Sequence, residues 1–352
     1  MVRMNSSELK DREKAILRFV IHQFILTANP VGSRNISKKY DIGLSPASIR
    51  NIMSDLEDLG FLNHPHTSAG RVPTDKGYRV YVDSLMDPPY LDQKTKQIVD
   101  VNFGSGATET EDLLKITSSI LSSLTNQLAM VTYPKFEQAT LEKIQIVQLS
   151  STRLLVVVSV KSGLIRTITL EIDAEVKEEQ ITLVQQYLNE RLLGLKFSEI
   201  RDTFQERIKD INTDSYRPII RVFLESIDRI FTDVSSEKAI IVGTNNILKQ
   251  PEFIDHENFQ SVVELVENKD IIIHFLNKNK SLLPEDEVII TIGGENQDEK
   301  LSDYSVITKE YKIGDLTGTL GIMGPTRMDY SKIVAAVVYI AEQLTQELTK
   351  QR

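Results

Sequence analysis

The stretch from Val31 to Tyr81 constrains the fold more than any other part of this 352-residue chain. Two predicted helices are separated by the turn Asp41–Leu44, which contains a glycine for a backbone position with positive φ. Ser45 followed by Pro46 predicts a helix start, since a hydroxyl can cap the first turn and proline suits the first helical position. The helix ends near Leu59, and a glycine-punctuated hairpin follows. This order predicts a winged helix-turn-helix.

The second helix of this stretch is amphipathic. At helical spacing, one side carries five apolar residues, Ile49, Ile52, Met53, Leu56 and Leu59. The other side and its flanks are small, amide-bearing or basic, and arginine can read guanine while asparagine can read adenine. The N-terminal half lacks acidic residues. We therefore expect this half to enter the major groove of DNA, with these candidate contacts: Ser45, Ala47, Ser48, Arg50, Asn51 and Ser54.

Basic and polar residues outside this helix add further candidate DNA contacts. On the first helix they are Arg34, Lys38 and Lys39, and the two lysines are expected at phosphates. The hairpin, with predicted strands Phe61–Leu62 and Arg71–Val72, adds His66, Thr67, Ser68 and Arg71. The alternatives are that the hydroxyls at the tip only form a turn, that Arg71 only makes a surface ion pair, and that the module binds a protein instead of DNA.

The segment from Leu44 to Asp83, LSPASIRNIMSDLEDLGFLNHPHTSAGRVPTDKGYRVYVD, closely resembles the heat-inducible transcription repressors of the HrcA family. A second, shorter match is GTLGIMGPTRMDYSKIVAAVVYIAEQL, from Gly318 to Leu344. The resemblance implies a DNA-binding domain, a GAF-like domain and a dimerisation domain inserted into the latter. It also implies repression of chaperone operons through an inverted-repeat operator, the CIRCE element, with the chaperonin GroE maintaining the active repressor.

The predicted fold class is α+β, with an N-terminal winged helix-turn-helix, a GAF-like α+β domain and an inserted, mainly helical dimerisation domain. A Pro-Pro pair ends the first domain, and a helix is expected from about Thr110 to Leu128. Three strands then form an antiparallel meander, Lys143–Leu149, Arg153–Val160 and Leu164–Ile172, before the chain turns helical at Asp173. Strand patterns resume at Glu287, and we expect strands near Ile144 to pair with those near Ile289. The expected domain limits are 1–89, 90–172, 173–271 and 272–352.

Charge is unevenly distributed along the chain. The net charge is −9, but residues 1–89 carry 12 Lys and Arg against 10 Asp and Glu, so this segment is +2 and the remainder is −11. The overall charge argues against a protein that coats nucleic acid nonspecifically. Because the N-terminal segment is only weakly basic, tight binding is expected to need two copies on one DNA site, and therefore a homodimer.

Several functional classes are disfavoured by composition. The chain has no cysteine, which excludes disulfides and thiolate zinc sites, and no cofactor or metal is expected. His64 and His66 form the one close histidine pair, for which a polar contact of the wing is favoured over a metal site. No apolar run approaches the ~20 residues that span a bilayer, so we expect a soluble, cytoplasmic protein without a membrane partner.

Two alternative functions are an enzyme and a ligand-sensing regulator. Arg327, Asp329 and Tyr330 cluster in GPTRMDY, but we favour a strand-to-helix corner in which Thr326 or Asp329 caps the helix and Arg327 pairs locally. An enzyme is therefore not expected. The apolar stripe of the last helix is interpreted as core. The main alternative to repression alone is a ligand-sensing transcription regulator with a small molecule bound in the GAF-like domain.

Overall fold

A computed structural model describes residues 9–65, 70–104, 109–210, 216–232, 239–254, 256–268, 271–274, 276 and 287–350. The chain forms two compact units. One comprises Met1–Val131, Ile240–Glu310 and Leu320–Gln343, and the other comprises Thr132–Ala239, Tyr311–Thr319 and Leu344–Arg352. Both contain helices and sheet, which confirms the α+β class. Within the described ranges, no helix has the length and apolar character needed to cross a membrane.

The first unit begins with a small helical module, residues 9–85, called the N-terminal module below. Its elements in chain order are α1 (Asp11–Thr27), α2 (Ser33–Lys39), α3 (Pro46–Asp58), β1 (Leu62–Asn63), β2 (Val72–Pro73) and α4 (Asp75–Val80), which continues as a π-helical turn, Tyr81–Leu85. The two short strands pair antiparallel, with Leu62 opposite Pro73. Fully buried side chains of α1, α2 and α3 form the core of the module, including Ile16, Val20, Ile36, Ile49 and Leu56.

A five-stranded sheet, called the core sheet below, follows the module. Its strands are β3 (Leu128–Thr132), β7 (Ala239–Val242), β8 (Ile289–Ile292), β9 (Tyr304–Ile313) and β10 (Leu316–Pro325), in the order β7-β3-β10-β9-β8. β3 pairs antiparallel with β10, and β8 with β9. The sheet thus joins strands from widely separated parts of the chain.

Helices precede, separate or follow the strands of the core sheet in the sequence: α5 (Gln93–Phe103), α6 (Thr110–Thr125), α11 (Thr244–Ile247), α12 (His256–Glu267) and α13 (Tyr330–Lys350). Leu128 and Met323 of the sheet share a buried cluster with Phe253, Val262 and Leu265. The predicted apolar stripe of the last helix is buried as expected for core, at Ile333, Val337, Ile340, Leu344 and Leu348.

The second unit contains the predicted meander. Strands β4 (Leu141–Ser150), β5 (Arg153–Val160) and β6 (Ile165–Glu171) form a separate antiparallel sheet in the order β4-β5-β6. The helices of this unit are α7 (Glu178–Leu192), α8 (Phe197–Arg207), α9 (Arg217–Glu225) and α10 (Ile227–Phe231). Alternate residues of β5 are buried, so one face of the sheet is packed and the other is open.

Side-chain amides of α7 cover the outer edge of β4. Asn189 accepts the backbone N–H of Ile144 at 2.8 Å and donates to its carbonyl at 2.8 Å. Gln185 accepts the N–H of Ile146 at 2.7 Å. Backbone groups at the edge of the sheet are therefore satisfied by side chains in the way that a neighbouring strand would satisfy them.

Two expectations about the sheets are wrong. Strands near Ile144 do not pair with those near Ile289, because the meander closes into its own three-stranded sheet. The helix expected to reach Leu128 ends at Thr125, where Asn126 takes a left-handed conformation with φ of 59°. The apolar run that follows Asn126 is strand β3, buried along its whole length, and not the end of the helix.

Candidate nucleic-acid interface

The start of α3 has the geometry that its sequence predicts. Ser45 is the N-cap residue, and its hydroxyl accepts the backbone N–H of Ser48 at 3.1 Å, while Pro46 follows in the first turn. The two serine hydroxyls lie 3.0 Å apart. No acidic residue occupies the first turn. The positive end of the helix dipole is therefore free of acidic side chains in its own first turn.

The two faces of α3 differ as the pattern predicts, with one exception. Ile49, Met53 and Leu56 are buried and Ile52 is half-buried, whereas Leu59 is 43% exposed because it lies beyond the end of the helix. Every candidate contact on the other face is exposed: Ser45, Ala47, Ser48, Arg50, Asn51 and Ser54. The structure thus brings the six α3 candidates together on one accessible surface.

The basic residues of α2 lie beside this surface and are also exposed, at Arg34, Lys38 and Lys39. Lys39 donates to Gln23 at 2.7 Å, which ties the end of α2 to α1. Tyr40 follows α2, stacks on Phe19 with ring centroids 4.0 Å apart and hydrogen-bonds His22 at 2.8 Å. Burial raises the pKa of the Tyr40 phenol, against the opposing charge of Arg18, so the hydroxyl stays protonated.

The hairpin is only partly described. His66, Thr67 and Ser68 lie outside the described residues, so their predicted contacts stay predictions. Arg71 is half-buried, and its Nε lies 2.6 Å from a carboxylate oxygen of Glu57 on α3. Its backbone also pairs with Val31 in both directions. The ion pair predicted as the alternative role of Arg71 is therefore present, and any phosphate contact would compete with Glu57.

Residues at the start of α4 contact the segment directly after α3, and no sequence pattern predicted these contacts. Thr74 donates its hydroxyl hydrogen to the carbonyl of Gly60 at 2.7 Å and caps α4 by accepting the N–H of Gly77. Lys76 donates to the carbonyl of Leu59 at 3.0 Å and lies 4.3 Å from the ring centroid of Phe61. Thr74 followed by an aspartate is a helix-start signal, but the contact with α3 is not local and has no sequence signature.

The corner after β10 is a structural joint, as expected, although one of its contacts was predicted wrongly. Asp329 accepts the N–H of Lys332 at 3.2 Å and so caps the last helix. Arg327, by contrast, does not pair locally. Its guanidinium contacts Glu252, 75 residues earlier, and the carbonyl of Ile25 at 2.9 Å.

Comparison with known proteins identifies the family. A family model described as the HrcA protein C-terminal domain matches residues 111–334. A heat-inducible transcription repressor HrcA of Chlorobium phaeobacteroides strain BS1 is 38% identical over 350 residues, covering 97% of this chain and 99% of the relative. The chain belongs to the HrcA family of heat-inducible transcription repressors.

Another HrcA relative supports this assignment, and a solved structure shares the fold. The HrcA repressor of Prosthecochloris aestuarii is 37% identical over 350 residues, with 97% of this chain and 98% of the relative covered. A crystal structure described as a hypothetical protein superposes with a TM-score of 0.59 at 22% identity, covering 98% of this chain and all of the other. At that identity the likeness shows a shared fold alone.

Proposed function

We propose that this HrcA-family protein represses chaperone operons by binding an inverted-repeat operator, the CIRCE element, as a homodimer in the cytoplasm. The N-terminal module is then a winged helix-turn-helix, and α3 is the helix that enters the major groove. The observation that carries the proposal is the exposed face of α3, on which Arg50 and Asn51 stand beside small residues and a capped helix start. DNA binding, and not catalysis, is the activity that this face supports.

Base reading by α3 can be tested with two substitutions and a control. Arg50→Ala and Asn51→Ala should each weaken operator binding by about 1–3 kcal/mol and relax sequence preference, because each removes a bidentate partner of a base edge. Asp58→Ala is the matched control, since Asp58 is an exposed residue at the other end of α3. Binding should be measured by fluorescence anisotropy on operator and scrambled DNA. If both variants bind the operator as tightly as the parent, α3 is not the reading helix.

The proposed domains keep the limits 1–89 for DNA binding, 90–172 and 272–352 for the GAF-like domain, and 173–271 for dimerisation. The three-stranded sheet directly precedes the proposed dimerisation segment in the sequence, and its open face supports a dimer contact that extends from that segment onto the sheet. On this face Val147 lies opposite Leu155, and Ile165 lies opposite Ser159. Val147 and Ile165 are 49% and 64% exposed, which is a large apolar exposure for two residues of one sheet face.

The dimer is better tested by substitution than by deletion. Removing residues 173–271 would also remove β7 of the core sheet and the buried residues Ile247 and Phe253. Ile165→Asp combined with Val147→Asp should instead leave the fold intact and give a monomer in sedimentation experiments, because the pair would bury two carboxylates in the contact. The control is Lys161→Glu, at an exposed position in the turn between β5 and β6. A double variant that stays dimeric moves the interface elsewhere.

Chaperonin dependence is also part of the proposal, with GroE as the partner. Its support is the chain topology, because the first unit is assembled from three separate segments of the sequence. Such long-range contacts form slowly and leave apolar surface exposed during folding. Only the folded dimer would bind DNA, so repression would follow the amount of that state.

The chaperonin proposal requires an experiment of its own. Operator binding should be measured after refolding alone, with GroE, and with GroE plus an unfolded competitor protein. The active fraction should rise with GroE and fall again with the competitor. Equal fractions in all three reactions would leave direct thermal unfolding as the switch.

A second candidate function, ligand sensing, is favoured by one cleft. It has a volume of about 670 Å³ and lies between the end of α6 and the segment after β7. Hydroxyl and amide side chains dominate its lining, among them Ser119, Ser123, Asn126, Thr244 and Asn245. A thermal shift screen with neutral sugars, polyols and nucleotides tests this function. A ligand that raises Tm should also change operator affinity if the cleft is regulatory.

A further inference from the structure

Helix α4 contacts both α3 and the core sheet, and all of these residues belong to the first unit. Through Thr74 and Lys76 its N-terminal end binds the carbonyls of Gly60 and Leu59, directly after α3. On its other side, Arg79 reaches the turn that follows β8. This short helix is therefore the direct structural link between the proposed reading helix and the core sheet.

Arg79 makes the contact between α4 and the core sheet. Its side chain is almost fully buried and donates to both carboxylate oxygens of Glu295, one of them at 2.8 Å. It also donates to the carbonyl of Ile290 at 2.7 Å and to Asp83 at 3.1 Å. Beside it, Asp75 accepts the backbone N–H of Gly294 at 3.0 Å. One arginine thus connects α4 to both ends of the segment from β8 to Glu295.

A second arginine makes a corresponding contact at the end of α1. Arg327, at the corner after β10, donates to the carbonyl of Ile25 at 2.9 Å. Its guanidinium also pairs with Glu252 and donates to Gln250 at 3.1 Å. The N-terminal module is consequently held at two separate points, by Arg79 through α4 and by Arg327 through α1.

The chemistry of these contacts makes them directional. A guanidinium presents its N–H groups in a rigid planar fork, so a bidentate carboxylate fixes both distance and angle. Burial opposes the charge of Arg79, but the hydrogen bonds and negative charge of Glu295 outweigh it and raise the arginine pKa. Because a buried charge is costly without its partner, the contact strongly favours one arrangement of α4 against the core sheet.

We propose that Arg79 and Arg327 form a two-point clamp that fixes the orientation of the N-terminal module on the core sheet and so sets the geometry with which two modules meet a full operator. Both are positioning residues, since neither belongs to the exposed face of α3. The inference rests on the proposed function for the twofold operator. Its consequence is specific, because avidity is lost when the geometry prevents both copies from engaging their half-sites together.

The clamp can be released from the core side without altering the module. Glu295→Gln and Glu252→Gln each remove the carboxylate charge of one arginine's partner, and the double variant removes both. Asp83→Asn is the matched control. It also removes an ion pair of Arg79, but Asp83 lies four residues after Arg79 in the module itself. Losing this ion pair therefore does not break a contact between the module and the core sheet.

Affinity should be measured for a full inverted repeat and for a single half-site. In the double variant, binding to the full site should fall by about 10-fold to 100-fold, whereas half-site binding should change less than about 2-fold. Each single variant should show a smaller fall, and Asp83→Asn should keep the parent ratio. Equal losses on both DNAs, no loss on the full site, or an equal fall in the ratio with Asp83→Asn would each overturn the clamp.

A second measurement needs no DNA. Because the chain has no cysteine, Asp41→Cys in the module and Glu342→Cys on α13 can be spin-labelled specifically. Labelled chains are mixed with excess unlabelled chain, so that distances within one chain dominate. The distance distribution should be narrow in the parent and in Asp83→Asn and broad in the double variant. An unchanged narrow distribution in the double variant overturns the clamp.

The two measurements separate the inference from the proposed function. If the parent binds a full site no more tightly than a half-site, the twofold operator proposal fails. The distance distribution then still decides whether the arginines fix the module. A circular dichroism melt of each variant accompanies both experiments. If Glu295→Gln, alone or in the double variant, has lost its folded signal at the assay temperature, Arg79→Lys takes its place, and the outcomes stated for the single variants apply to it.

Discussion

Helices α3 and α4 lie in the same small module, but the outward face of α3 and the buried contacts of α4 are built in opposite ways. The face of α3 is exposed, and its cap, limits and accessible residues follow from neighbours within a few positions. The contacts of α4 are buried and join residues far apart, since Arg79 and Glu295 are 216 positions apart in the sequence. The surface proposed to read DNA can therefore be recognised from local sequence, whereas the contacts that hold it in place cannot.

The largest effect on stability that tests this comparison is expected for a substitution of Gly77 in α4. A Cβ at this position would lie 2.2 Å from the carbonyl oxygen of Phe61, just after α3. Gly77→Ala should therefore lower the free energy of unfolding by about 3 kcal/mol, at the upper end of overpacking effects. Gly294→Ala is the control, because its Cβ would make only an ordinary contact with Asp75 at 3.8 Å. Similar stability of the two variants in urea titrations would mean that α4 does not pack tightly against the end of α3.

Arg71 combines features of the exposed face and of the buried contacts, since it is half-buried and paired with Glu57. If it also contacts phosphate, Arg71→Ala should weaken binding to any DNA sequence by about 1.5 kcal/mol and reduce the salt slope by about one unit. Glu57→Gln releases the same arginine and should preserve or increase affinity. Titrations at several salt concentrations distinguish the two roles. A salt slope that neither substitution changes would assign Arg71 to the ion pair alone.

The cap of α3 should have a smaller effect. Ser45→Ala removes the acceptor for the N–H of Ser48 and should lower the free energy of unfolding by about 1 kcal/mol. Ser37→Ala is the matched control within α2, where alanine is the better helix former and should be neutral or slightly stabilising. Equal destabilisation by the two substitutions in thermal melts would show that the Ser45 cap contributes nothing of its own.

The smallest effect at neutral pH is expected at Tyr78, next to Arg79. Its hydroxyl is buried without a hydrogen-bond partner among the described residues. Tyr78→Phe should therefore leave stability unchanged or raise it by about 0.5 kcal/mol. Burial, reinforced by Tyr330, raises the Tyr78 pKa well above its usual value of 10.0. The folded state thus favours the neutral phenol. The stability that comes from this preference is fully present below pH ~10, and it is lost as the pH rises further because the unfolded chain releases the proton first.

Alkaline unfolding gives the readout for that substitution. Above pH ~10 the free energy of unfolding of the parent should fall more steeply than that of Tyr78→Phe, by about 1.4 kcal/mol per pH unit for the one proton. Tyr90→Phe is the control because Tyr90 is 73% exposed. Identical slopes for the parent and Tyr78→Phe would show that the buried phenol does not ionise on unfolding in this range.

Local sequence predicted elements well where the signals were local. The start of α3 at Ser45–Pro46 and the three strands of the meander agree with the structure within about two residues. The strand β3 was missed because a short apolar run after a helix has no periodicity that separates strand from helix. The available sequence signal for the helix end was Asn126 itself, because asparagine tolerates the left-handed conformation that it adopts here.

Pairing between distant segments could not be predicted in the same way. The meander was assigned to the wrong sheet, because alternation gives the faces of a strand but not its neighbours. The distant partners of Arg327 were missed for the same reason. The exposed candidates on α3 lie together as expected, but the ion pair that holds Arg71 depends on how the hairpin packs on α3.

The amide groups of Asn189 and Gln185 along β4 have a consequence for a chain that is exposed to heat. An uncovered strand edge is a template on which another chain can add a strand, and this is a common route to aggregation. Here the N–H groups of Ile144 and Ile146 are occupied by side chains of the same chain. As long as α7 stays in place, neighbouring molecules cannot extend the sheet at those positions, and the protein is protected there against edge-to-edge association.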